Sequence, residues 1–147
     1  MEKIIDKSKE LHASISLIND KLNFKGIVEG RDPVSIDYVP PLGDDKGYTS
    51  LELLLLSLSS CLGSTTLTFL RKMKKTIKGL EIRSRGIRKE EHPTGFKTII
   101  MTFNLISSDT SKEELSRVIE LSETTYCPVW AMLKDNVEIE IIQNITS

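Results

Sequence analysis

The chain has 147 residues, 28% of them charged, with a formal net charge of −1. That length suits one domain, residues 1–147, burying roughly two-thirds of its unfolded surface. The near-neutral balance offers no electrostatic case for binding nucleic acid or an anionic membrane.

In chain order, the opening MEKIIDKSKELH is charged and lacks an apolar stretch, so no signal peptide is expected. Leu11–Asn19, Phe24–Glu29 and Val34–Tyr38 read as short strands, the last reached through the turn Gly30-Arg31-Asp32-Pro33. Pro40–Tyr48 (PPLGDDKGY) is a loop. Thr49 or Ser50 then caps a long helix, with Glu52 in its first turn, that runs to about Lys75. Gly79 breaks the chain before a strand over Leu80–Glu90. His92-Pro93-Thr94-Gly95 is a hairpin turn, and Phe96–Ser107 is the β-branched strand that returns from it. Ser111 caps a second helix, Lys112–Tyr126, with Glu114 completing a capping box. After CPVWAML, Val137–Ile145 closes the chain as a strand. The order β-β-β-α-β-β-α-β is α+β, with two main helices covering one face of mostly antiparallel strands.

The long helix carries the first functional clue. Leu51–Leu70 is about as long as a membrane span, yet it holds Glu52, four serines, three threonines and a glycine. A buried soluble helix, not a membrane helix, is the expectation. An apolar surface on nearly every face needs protein on all sides, and in so small a chain a partner subunit is one way to supply it. The basic run Arg71-Lys72-Met73-Lys74-Lys75 reads as a solvated helix end that complements the negative dipole pole.

The chain contains 2 cysteines, Cys61 in LELLLLSLSSC and Cys127 in YCPVW. That is too few for a secreted disulfide scaffold, so the expectation is a reduced, cytoplasmic protein. Free cysteine is often simply a small buried hydrophobe. The hydroxylated neighbours of Cys61 (Ser57, Ser59, Ser60, Ser64, Thr65, Thr66) offer donors that a thiolate could use. Pro128 suits the first position of a short helix, which leaves Cys127 at its N-cap, where free amides favour a thiolate. The two histidines, His12 and His92, lie far apart in sequence and no Cys-x-x-Cys occurs, so no metal site is expected. A nucleophile elbow and a glycine-rich phosphate loop are both absent, and no cofactor is expected.

Three blocks, PPLGDDKGYTSLELLLLSLSSC, EEHPTGFKTIIMTFNL and ELSETTYCPVWAML, resemble the OsmC/Ohr family of thiol-dependent peroxide reductases over roughly residues 24–145. The ELLLLSL form is most similar to the YhfA-like branch. The resemblance implies an OsmC-like fold in an intertwined homodimer, with the long helices buried between subunits and two sites at the interface. It implies that Cys61 attacks an organic hydroperoxide to give a sulfenic acid, that Cys127 resolves it as a disulfide, and that a dithiol reductant reopens the bond. An apolar interface pocket lined by leucines, Phe69 and Trp130 would admit the substrate. The family's pattern also has an activating glutamate ten residues before the first cysteine, paired with an arginine; here Leu51 stands in its place. Glu52 is nine residues before Cys61, two and a half turns away, and so points the opposite way on an ideal helix. Arg31, in EGRDP, looks like the family's Gly-Arg-Asp segment. Glu52 and Arg31 are therefore candidates for an activating or a purely structural role. The alternative to turnover is a dimeric small-ligand-binding or redox-sensing stress protein.

Overall fold

A computed structural model describes residues 6–147; the first residues of the charged opening lie outside it. The chain forms two compact units, one ending at Leu53 and the other covering Leu54–Ser147.

The first unit is a three-stranded antiparallel meander of β1 (Ser14–Leu17), β2 (Phe24–Ile27) and β3 (Val34–Ile36). These strands are shorter than expected, and at the end of β3 side chains take over the backbone's partners. Asn23 is buried and donates to Ser35 Oγ and to the Ile36 carbonyl. Asp37 ends β3 by accepting from the amides of Tyr38, Asp44 and Lys46, which shapes the proline-rich loop around it. Burial pushes the Asp37 carboxyl up, but those amides pull it further down, below the ordinary aspartate range. Gly43 has to be glycine, since a Cβ there would stand 2.1 Å from the Tyr38 carbonyl oxygen.

Helix α1 spans Ser50–Lys72 and stops short of the expected Lys75. Lys74 takes the left-handed conformation (φ 62°), its amide bonds back to the Arg71 carbonyl, and the Lys75 amide reaches the Leu70 carbonyl. This is a Schellman stop built on lysine instead of glycine. Within the second unit Leu58, Leu62, Thr66 and Leu70 are buried, one stripe at four-residue spacing. Gly63 lets the helix approach the sheet closely: a Cβ there would meet Ile82 Cδ1 at 2.9 Å.

Strands β4 (Gly79–Arg88), β5 (Phe96–Ile106) and β6 (Glu138–Thr146) form the second sheet in the order β4-β5-β6. β4 and β5 are the expected antiparallel hairpin. β6 runs parallel to β5, because the helices between them carry the chain back before it re-enters. The structure is thus α+β with mostly antiparallel strand pairs. On β5 the alternate residues Ile99, Met101, Phe103 and Leu105 are buried and form the core face. Phe103 is fully buried, so Phe103→Ala is expected to cost about 3–5 kcal/mol, read as a lowered urea midpoint at unchanged slope.

α2 covers Lys112–Leu121 and opens with the predicted capping box: Ser111 Oγ accepts from the Glu114 amide, and Glu114 Oε1 accepts from the Ser111 amide. Lys75 ties the end of α1 to this corner through a 2.7 Å ion pair with Glu114 and a bond to the Asp109 carbonyl. Ser116 donates to Gln143 and so joins α2 to β6.

Candidate active site

Cys61 lies on the flank of the buried stripe of α1 and is half-buried. Two of the six hydroxyls expected to serve its sulfur, Ser60 and Thr65, are committed elsewhere. Ser60 donates to the Ser57 carbonyl, Thr65 to the carbonyl of Cys61 itself, and Thr68 to the Ser64 carbonyl. Helical serine and threonine readily bond back to the preceding turn in this way. Ser59 and Thr66 hydroxyls are buried without a partner among the described residues.

Cys127 is delivered by a local departure from α-helix. The helix predicted to reach Tyr126 leaves α geometry at Leu121, and Ser122–Tyr126 form a π-helical turn closed by the Cys127 amide on the Ser122 carbonyl at 2.8 Å. Pro128 explains the exit: the residue before a proline is driven out of the α region, and Cys127 sits at φ −87°, ψ 105°. Insertions of this kind are frequent at functional sites. Pro128–Leu133 then form the short helix α3, with Cys127 at its N-cap as expected and Cys127 Sγ accepting from the Trp130 amide at 3.3 Å.

The two elements bring the thiols together. The Cys127 thiol donates to Cys61 Sγ across 2.9 Å, and both cysteines are free. The electrostatics of Cys127 run opposite to the sequence expectation. Burial, then the bond to Cys61, push its thiol up to about 11, although the Trp130 and Val129 amides pull the other way. A six-residue helix offers too weak a dipole to offset the removal of a thiolate from water.

The remaining candidates are engaged locally. Glu52 caps α1 reciprocally with Thr49: its carboxylate accepts from the Thr49 amide at 2.9 Å, and its own amide donates to Thr49 Oγ1 at 3.2 Å. The Thr49 amide and hydroxyl hold its carboxyl below the ordinary range. The Arg31 guanidinium donates to the carbonyl of Gly30. Phe69 lies against Tyr126, ring centroids 5.0 Å apart, with the Lys72 ammonium 5.4 Å from the Phe69 ring. Sequence reasoning missed Tyr126 and the Trp130 amide; their positions directly before and three after Cys127 were the available signal. A shallow groove of about 360 Å³ runs along α1, lined by leucines (Leu56, Leu67, Leu80), Ile82 and small residues including Ser60 and Gly63.

The family model for OsmC-like proteins matches residues 43–142. The chain belongs to the OsmC-like family. The matched span covers most of the second unit and both cysteines. Among curated relatives of this OsmC-like protein is Protein YhfA of Escherichia coli strain K12, 27% identical over 95 residues, which are 65% of this chain and 71% of YhfA. Its fold is similar to that of an OsmC-like protein from Mycoplasma pneumoniae (TM-score 0.81, 20% identity, 94% of this chain and 98% of that one). It is also similar to the organic hydroperoxide resistance protein OhrB of Bacillus subtilis (TM-score 0.63, 16% identity, 91% and 98% covered).

Proposed function

We propose that this OsmC-like protein is a thiol peroxidase that reduces organic hydroperoxides in a reducing, cytoplasmic environment, as a homodimer. The observation that carries the reading is the 2.9 Å contact between Cys61 and Cys127, supplied by two different elements of the second unit. Membership of the family, and the hydroperoxide resistance named for a structural relative, support it. The Cys61 thiolate attacks the terminal peroxide oxygen and the O–O bond breaks; Cys61 becomes a sulfenic acid and the alkoxide leaves as alcohol after taking a proton from water. Cys127 Sγ then loses its proton and attacks the Cys61 sulfur, expelling hydroxide and forming the disulfide. A dithiol exchanges with that bond, returns both thiols and is itself oxidised to a disulfide.

Turnover is slow in this reading. Leu51 supplies no charge, and the Glu52 carboxylate is held by its cap on Thr49. The test is consumption of cumene hydroperoxide by the reduced protein with dithiothreitol as reductant. The expected result is catalytic consumption above the dithiothreitol background. Consumption no faster than background overturns the peroxidase reading in favour of a ligand-binding or redox-sensing protein.

A further inference from the structure

The contact between the sulfurs becomes directional once one of them ionises, and the direction matters before any disulfide forms. Cys127 is 3% exposed while Cys61 is half-buried, so a negative charge on the pair is better solvated at Cys61. Among the described residues, the hydrogen bond that reaches Cys61 Sγ comes from Cys127, while the hydroxyls of Ser60, Thr65 and Thr68 point to helix carbonyls. Cys127 Sγ is in turn fixed by the Trp130 amide, which orients the thiol without taking its proton.

We propose that Cys127 has a role ahead of resolution: its S–H donates the hydrogen bond that stabilises Cys61 as the reactive thiolate. This deepens the proposed peroxidase reading and rests on it. A hydrogen bond to an ionised acceptor is worth about twice a neutral one, and in a partly dry site its loss is not made up by water. The proton stays on Cys127 while Cys61 attacks, and must leave before Cys127 can itself attack the sulfenic acid. Burial favours that retention, holding the Cys127 thiol well above its ordinary range. The other titratable side chains on the elements that carry the pair are Glu123 and Tyr126 of the π-helical turn and Glu52, Arg71 and Lys72 of α1, with Glu52 held at the helix start by its cap on Thr49. Glu123 is itself pushed toward its neutral form by burial and by Glu120, and Lys72 lies over the Phe69 ring.

The experiment is iodoacetamide alkylation of Cys61, without peroxide, on fully reduced protein across pH 5–10, with peptide mass spectrometry assigning the modified cysteine. In Cys127→Ala the pH midpoint of Cys61 alkylation is expected to rise by roughly one unit, a tenfold loss of thiolate near neutrality. In Cys127→Ser, whose hydroxyl keeps a donor in place, much of that loss should be restored. An unchanged midpoint in folded Cys127→Ala overturns the proposal. The wild-type protein gives a check that does not depend on the variants folding: thiolate absorbance at 240 nm should rise in two separated steps, one sulfur each. Loss of both protons in a single step also overturns it. Because no hydroperoxide is present, these outcomes are independent of whether the peroxidase assay succeeds.

Discussion

Replacing Cys61 by serine is expected to reduce hydroperoxide turnover to background, because an alcohol of ordinary acidity offers no nucleophile at neutral pH where a thiolate does. Cys127→Ser is expected to behave differently. Without a reductant each chain should consume one equivalent of hydroperoxide to give a Cys61 sulfenic acid, and only excess oxidant should drive a second equivalent into sulfinic acid. Titrating reduced protein with cumene hydroperoxide and weighing the product by mass spectrometry separates the two. A wild-type rate in Cys61→Ser would remove the catalytic assignment altogether. The resolving step carries its own pH signature. The Cys127 thiol is pushed up to about 11 from an ordinary 9.0, and burial, the first cause, persists after Cys61 is oxidised. Only the thiolate attacks, so from neutral pH upward disulfide formation should quicken about tenfold per pH unit while the thiol stays mostly protonated. The chain has 1 tryptophan, Trp130, and its amide bonds Cys127 Sγ, so its fluorescence can follow the step by stopped flow. A rate already level below pH 8 would show that burial does not hold this thiol up.

The second large effect concerns assembly. In an 18-residue apolar window of α1, 28% is buried within the chain, and Leu56 is 54% exposed in the middle of its leucine run. The groove beside Leu56 is floored by small residues, the surface on which a second helix can approach closely. Each leucine removed from water contributes about 2 kcal/mol, which is the gain a second copy covering this face would bring. Sedimentation at micromolar concentration should therefore give a dimer. Leu56→Asp should weaken it roughly thirtyfold or more, the effect of losing a central apolar anchor. A stable wild-type monomer would leave this helix face unexplained and would sink the homodimer.

What the sequence determined by itself is what local physics controls. The Ser111–Glu114 capping box, the β4–β5 hairpin around His92–Gly95, and the N-cap position of Cys127 ahead of Pro128 depend on residues a few positions apart, and all are present in the structure. The three blocks that carried the family resemblance were legible for the same reason: they are contiguous strings. Glu52 was legible too, since nine residues of helix turn it away from Cys61, and it caps Thr49 instead. The tertiary structure decided what depends on distance through space. It decided that α1 ends at Lys72, because Lys74 accepts a left-handed conformation that propensity alone disfavours. It decided that β6 lies parallel to β5, a pairing between strands separated by three helical segments. It decided, above all, the state of the thiols. A sequence places Cys127 beside free amides and so suggests an acidified sulfur; only the packed site reveals that the same sulfur is buried against Cys61, where desolvation outweighs the amides and keeps its proton on.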